Sequence, residues 1–256
     1  MARKKTWDLC QALGFLQRQL PLVPVNYGGK APVIVFEDAD LDAVAEGIRA
    51  AGYWNSGQEC GAGTRILVQE EVAEELVEKL IAAVSTLAVG DPADGPDVEL
   101  GPLVSQAHFE RVKGFLERAV DEGAVAALGG HALDREGFFI APTILSNVLP
   151  GTEAATEEIF GPVVTVETFK DEEEAIQRAN DSEYGLSASV WTKDAARSID
   201  VPRKIDAGTV WVNSHLVLAN EVPWGGFKGS GYGRDLSVYS LQDYSRTKHI
   251  QINHAR

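Results

Sequence analysis

The sequence predicts an α/β protein: an open, largely parallel sheet with helices on both faces. Three observations predict it. Short apolar runs of strand length alternate with longer stretches whose apolar residues recur at helical spacing. Each of the first two strands is followed directly in sequence by its helix. A chain of 256 residues that is 45% apolar can bury a substantial core, as one large domain or two modest ones.

Residues 1–25 read as a short amphipathic appendage ended by Pro21 and Pro24, which disfavour a helix through LPLVPV. From Lys30 the texture becomes regular. APVIVF is a buried strand, and DADLDAVAEGIRAAGY is a helix with Leu41, Val44, Ala45 and Ile48 on one face behind an acidic N-terminus. RILVQ is the next strand. EVAEELVEKLIAAVSTL is its helix, with Val72, Leu76, Leu80 and Val84 along one face. SQAHFERVKGFLERAVDEG reads as helix, and FFIAPTIL and VVTVETF as strands. DEEEAIQRAN is a helix in which Asp171 and Glu174 have capping-box spacing. LSASVWT and GTVWV add two strands around the helical AARSIDVPRKI. Sheets of this kind usually bind ligands beyond the carboxyl ends of their strands. No internal repeat, low-complexity tract or interdomain linker interrupts the pattern.

Composition removes several classes of function. A formal charge of -15 repels phosphate backbones and anionic lipid, so neither nucleic acid nor a membrane surface is an expected partner. The opening MARKKTWDLCQALGFLQRQLP starts like a signal peptide, but Gln11, Gln17, Arg18 and Gln19 break its apolar stretch and no small-residue cleavage site follows. No run approaches the roughly 20 apolar residues of a membrane span. With only two cysteines, Cys10 and Cys60, a disulfide-held secreted fold is disfavoured, and a reducing, cytoplasmic setting fits.

Cys60 is the residue to which chemistry attaches first. It lies in NSGQECGAGTR among glycines and polar residues, where a packed core cysteine would have apolar neighbours. Glycines permit tight backbone and close approach of a substrate, so a loop thiol of this kind can act as a nucleophile. Against that stands the general burial and inertness of lone cysteines. Cys10 has no motif and reads as packing. His108, His131, His215, His249 and His254 pair with no cysteine or carboxylate at ligand spacing, so no metal is expected. On composition alone Phe160 is core and Glu158 a solvated charge. The run PWGGFKGSGYGRD has neither P-loop spacing nor a strand-GxGxxG-helix setting, and reads as a structural turn near the substrate mouth.

Seven segments occur in one order: GGKAPVIVFEDADLDA, NSGQECGAGTR, ELGPLVS, EEIFGPVV, ANDSEYGLSASVWT, GTVWVN and PWGGFKGSGYGRD. In these the chain resembles the catalytic half of the aldehyde dehydrogenase superfamily, from about Tyr27 to His254. The resemblance implies that Cys60 is the nucleophile: it attacks an aldehyde, the adduct loses hydride to NAD or NADP, and a thioester results. It implies that the Cys60 amide stabilises the oxyanion, that Glu158 binds the nicotinamide ribose, and that Phe160 lies against the nicotinamide ring. GYWNSGQEC and SGYGRDLSVYSLQDYSRTKHI look most similar to aminoaldehyde dehydrogenases acting on 4-aminobutanal. Trp54, Trp211 and Trp224 then form either an aromatic wall for a cationic substrate or simply core.

Two departures from the family stand out. Its general base is the glutamate of an ELGGK segment, whereas this chain reads NYGGK with Asn26 in that place, and an amide cannot accept the proton. Family members are also about twice as long, and their first half holds the Rossmann-like domain that grips the cofactor. The implied organisation is an appendage at 1–25, a catalytic domain at 26–243 and an oligomerisation arm at 244–256, with the cofactor domain absent and the gene truncated, frame-shifted or recombined. Three readings follow: an impaired aldehyde-oxidising half that needs a cofactor domain from another chain; an inactive remnant that associates with itself or with aldehyde dehydrogenase subunits through RTKHIQINH; or a thiol esterase independent of NAD, for which no histidine base near Cys60 is evident.

Overall fold

The computed structural model describes residues 25, 26 and 28–254. The expectations for residues 1–24, Cys10 among them, lie outside the described residues. In chain order the elements are β1 (Val25–Asn26), β2 (Pro32–Val35), α1 (Leu41–Tyr53), β3 (Arg65–Gln69), α2 (Ala73–Val84), α3 (Gln106–Asp121) and β4 (Val125–Leu128). They continue with β5 (Thr143–Ser146), α4 (Glu153–Thr156), β6 (Val163–Phe169), α5 (Glu172–Asn180), β7 (Tyr184–Gly185) and β8 (Ser187–Trp191). The last are α6 (Arg197–Lys204), β9 (Thr209–Val212), β10 (Phe227–Lys228), β11 (Gly231–Tyr232) and α7 (Ser237–Asp243).

Seven strands form one sheet in the order β4-β5-β6-β3-β2-β8-β9, parallel throughout except for β4 on β5. The alternation of each strand sorts its side chains between two helical layers. Val33, Val35, Ile66 and Val68 pack with Val44 and Ile48 of α1 and Leu76 and Leu80 of α2. Ile34, Leu67 and Val190 point the other way, onto Ala175 and Ala179 of α5 and Val201 of α6. A third cluster seats Val112, Phe115 and Leu116 of α3 against Leu145 and Val163. The expected sheet, parallel and covered on both faces, is the one found.

Local chemistry explains where elements start. Asp40 caps α1 by accepting from the Ala43 N–H at 3.2 Å, and Ser105 caps α3 through the His108 N–H. The expected capping box at Asp171 is half formed. The Asp171 carboxylate accepts from the Glu174 N–H at 2.9 Å, but Glu174 reaches past the cap to the Lys170 N–H, also at 2.9 Å. Val72 lies in a 3-10 turn just before α2, and its side chain still packs on the cluster that holds Leu76, Leu80 and Val84. Of FFIAPTIL only its last three residues join a ladder strand, Thr143–Ser146, because Pro142 has no N–H to give; Ile140 makes an isolated bridge to Ala132. The edge strand β4 escaped the sequence reading, since VAAL is alanine-rich and half exposed.

One expectation is overturned with consequences for the site. The Cys60 loop leads into β3, the Gly28–Lys30 turn into β2, and the Glu158–Phe160 segment into β6. These strands are parallel neighbours, so the candidate residues cluster at the amino ends of the sheet and not beyond its carboxyl ends.

Beneath this cluster, Arg65 and Glu167 form a buried two-pronged ion pair at 2.7 and 3.1 Å, with a third guanidinium contact to the Arg178 carbonyl at 3.1 Å. Both side chains are 3% exposed or less. Arg65→Ala should lower stability by about 3–5 kcal/mol by stranding the Glu167 charge, whereas Arg65→Met with Glu167→Leu should cost much less. Urea midpoints of the three proteins check this.

Candidate active site

Three loops meet at the amino ends of β2, β3 and β6, and two glycines let their backbones touch. A Cβ on Gly29 would sit 2.6 Å from the Cys60 carbonyl oxygen, and one on Gly57 would sit 1.9 Å from the Gly161 carbonyl oxygen. Either contact excludes any side chain. The Gly29 N–H also donates to Glu158 Oε1 at 2.9 Å, so the turn before β2 ties the thiol loop to the acidic segment.

The thiol loop leaves α1 at Tyr53, whose buried hydroxyl donates to the Thr143 carbonyl at 2.9 Å. Asn55, Ser56 and Gly57 then take left-handed backbone, φ 50°, 58° and 69°. Asparagine and glycine tolerate that region, while serine needs outside support. Here Ser56 Oγ donates to the Gly101 carbonyl at 2.9 Å, and Gln58 Oε1 accepts from the Val104 N–H at 2.9 Å. The ELGPLVS segment is therefore the brace of the thiol loop.

Cys60 is half-buried and not in a disulfide. Its Sγ donates to Glu59 Oε1 at 3.3 Å, and the Gly61 N–H approaches the same oxygen at 3.2 Å. Burial, then the Glu59 carboxylate as charge and as acceptor, then the charge of Glu158, push the thiol up to about 12. In this state the sulfur is held protonated, so placement suits a nucleophile but activation requires a further group.

The Glu158–Phe160 segment is gripped from behind by α3. Arg111 donates to the carbonyls of Glu158 at 2.6 Å and Ile159 at 2.5 Å, and His108 Nε2 donates to the Phe160 carbonyl at 2.6 Å. Phe160 is left-handed, φ 60°, with its ring edge-on to His108 at 6.0 Å. Glu158 and Phe160 are both partly exposed and two residues apart, and the Glu158 charge bears on the Cys60 thiol. The side chain of Asn26 lies outside the described residues; its backbone pairs with Gly231 in the β1–β11 ladder. The glycine-rich run PWGGFKGSGYGRD is structural: Ser230 Oγ donates to the Gly28 carbonyl at 2.8 Å and accepts from the Gly185 N–H at 3.0 Å.

Two further side chains escaped the sequence reading. Lys30 is buried, and its Nζ has no hydrogen-bond partner among the described residues. Burial first, and the Arg65 charge second, lower it to about 7. His215 is buried against the residue that follows Cys60, with Nε2 2.8 Å from the Gly61 carbonyl and Nδ1 2.8 Å from Ser189 Oγ. Both nitrogens are engaged and burial lowers its pKa to about 4, so it is no base for Cys60. The Trp211 and Trp224 rings lie 5.9 Å apart, and Trp224 packs on Gly61. Trp54 is not part of this pair: it is 64% exposed and borders an open groove of about 460 Å³ with Arg49, Leu87 and Val98. Among the described residues no three His, Cys, Asp or Glu side chains gather as metal ligands.

Residues 15–250 match the sequence model of the aldehyde dehydrogenase family, and the chain belongs to that family. It is 44% identical over 234 residues to an aldehyde dehydrogenase-like protein of Schizosaccharomyces pombe, covering 91% of this chain and 46% of that one. Among solved structures, an NAD-dependent aldehyde dehydrogenase from Sinorhizobium meliloti superposes with a TM-score of 0.89 at 41% identity, over 96% of this chain and 49% of that one. A betaine aldehyde dehydrogenase from Staphylococcus aureus, in complex with NAD+, gives 0.84 at 41% identity, over 88% and 45%. The chain thus spans about half the length of the relatives it matches.

Lys30 has a pH signature. Its folded pKa of about 7 lies below the ordinary 10.5, so between those values the unfolded chain holds a proton that the folded one lacks, and stability rises with pH across that window. Lys30→Met should stabilise the protein at pH 7 by about 4 kcal/mol, with the gain shrinking toward pH 10.5. Thermal melts at several pH values measure it, and a destabilised variant would mean that the amine has a partner.

Proposed function

We propose that this chain carries the thiol half of a nicotinamide-dependent aldehyde-oxidising site, with Cys60 as nucleophile, and that its aldehyde is cationic. The convergence of the Cys60 loop and the Glu158–Phe160 segment on Gly29 carries the reading. In this reading residues 26–243 form the catalytic domain and 244–256 an oligomerisation arm, whose exposed Ile250 and Ile252 alternate as a sheet-adding strand would require. The setting is cytoplasmic, where an uncapped thiol survives; no described helix is long and apolar enough to cross a membrane.

Cys60 Sγ passes its proton to solvent water and attacks the aldehyde carbon, forming a C–S bond while the carbonyl oxygen takes the negative charge near the Cys60 amide. A nicotinamide, when bound, would supply the acceptor for the hydride that leaves that carbon, leaving a Cys60 thioester. The residues present fit the nicotinamide end of the cofactor. Glu158, fixed by Gly29 and Arg111, would accept from the ribose hydroxyls, and Phe160, fixed by His108, would lie against the ring. No described segment has the strand-GxGxxG-helix form that would hold a pyrophosphate, so the adenosine end needs another segment or chain. Water must then cleave the thioester without the family's carboxylate base, since Asn26 holds that place.

For the substrate, the Trp211–Trp224 pair beside Gly61 offers aromatic faces, and Glu59 adds a negative charge at the thiol. The likeness to a betaine aldehyde dehydrogenase at 41% identity and to aminoaldehyde dehydrogenases in GYWNSGQEC points the same way. The test is NADH formation by the full chain with 4-aminobutanal, betaine aldehyde and an uncharged aldehyde panel. We expect slow turnover that favours the cationic substrates, vanishes in Cys60→Ala and rises about a hundredfold or more in Asn26→Glu. NADH formed equally by Cys60→Ala would contradict the assignment.

A further inference from the structure

The strand β8 sits second from one edge of the sheet, yet it places two serines on one face: Ser187 is 1% exposed and Ser189 is not exposed at all. Its opposite face, Ala188 and Val190, is ordinary apolar core. A buried hydroxyl is costly unless hydrogen-bonded, so a pair in a strand interior points to partners that need them. Those partners are at the thiol loop. Ser187 Oγ donates to the Gly61 carbonyl at 3.4 Å. Ser189 Oγ accepts from the Trp191 indole N–H at 3.2 Å and lies 2.8 Å from His215 Nδ1. His215 Nε2 lies 2.8 Å from the Gly61 carbonyl.

The directions of these bonds are determined. A carbonyl only accepts, so His215 Nε2 carries the hydrogen, and the neutral ring leaves Nδ1 as acceptor for the Ser189 hydroxyl. The indole of Trp191 only donates, which turns the Ser189 hydrogen toward His215. The chain therefore runs one way, from Trp191 through Ser189 and His215 to the carbonyl one residue beyond Cys60. Packing locks the same group: the Trp211 ring lies 4.7 Å from the imidazole, and Trp224 and Leu216 fill the space that a side chain on Gly61 would need.

We propose that His215 is a positioning residue for the nucleophile loop: fixed as the Nε2–H tautomer by Ser189, it holds the Gly61 carbonyl and so sets the direction of the Cys60 thiol and amide. The proposal rests on Cys60 being the nucleophile, but its test does not use aldehyde oxidation, so the two fail separately. Nitrogen NMR of the labelled chain should show His215 with a protonated Nε2 and a bare, accepting Nδ1, and Ser189→Ala should shift the Nδ1 resonance toward that of a ring nitrogen without a hydrogen bond. The pH profile of Cys60 alkylation by iodoacetamide gives a second readout. His215→Gln, which keeps a donor toward Gly61 and an acceptor toward Ser189, should stay within about twofold of the parent. His215→Leu should be alkylated about tenfold faster at pH 8, as the released thiol meets water and its pKa falls by about one unit. If His215→Leu does not fold, the parent tautomer and Ser189→Ala decide the matter. A protonated Nδ1 in the parent, or a folded His215→Leu with the parent's profile, overturns the proposal.

Discussion

The site exists because backbones touch. Parallel strands stand about 4.8 Å apart, and the turns that lead into β2 and β3 inherit nearly that spacing. At Gly29 the two chains close to a distance at which no Cβ fits, and at Gly57 the thiol loop meets the segment ahead of β6 in the same way. The position of every functional side chain follows from these contacts. Glu158 faces the thiol because the Gly29 N–H holds its carboxylate, and Cys60 is presented because its own carbonyl is pressed on Gly29. A side chain at either glycine would push whole loops apart, and with them Cys60 from the Glu158–Phe160 segment.

Electrostatically the site is poised for a positive charge. The Glu59 and Glu158 carboxylates bear on the thiol, and two cations of the neighbouring strand β3 and the turn before β2 do not offset them. Arg65 is spent on Glu167, and buried Lys30 sits at about 7 where an exposed amine would stay fully charged. The thiol is thereby kept protonated and quiet. A cationic group brought beside it would favour the thiolate by simple Coulomb attraction. The oxidised nicotinamide ring and an ammonium-bearing aldehyde both carry such a charge, which links the resting state of Cys60 to the ligands proposed for it.

Much of the fold was legible, because buried parallel strands and amphipathic helices write their periods into the chain. RILVQ matched its strand residue for residue, and the predicted faces of α1 and α2 are the buried ones. What could not be read was contact with main chain. Arg111 and His108 stand three apart on α3, a spacing that any surface helix shows, and their targets are three carbonyls with no sequence identity. The role of Ser189 becomes visible only when β8, β9 and the thiol loop are brought together. The candidate residues fall at the other end of the sheet from the one expected because the rule for carboxyl ends describes folds whose ligands sit on loops leaving the strands, whereas here the candidates stand on loops entering them. Glu158 and Phe160 were recognisable through the family resemblance alone, since a half-exposed glutamate and phenylalanine have no distinguishing pattern of their own.

The most direct measurement of the central claim, that Cys60 accepts an acyl group and releases it slowly, needs no aldehyde. The full chain is incubated with p-nitrophenyl acetate and NAD+, whose positively charged ring favours the thiolate, and intact mass with peptide mapping locates any acetyl group. The account predicts one acetyl per chain, located on Cys60, lost in Cys60→Ala and shorter-lived in Asn26→Glu. Acetylation confined to surface lysines, with Cys60 unmodified throughout, would contradict it.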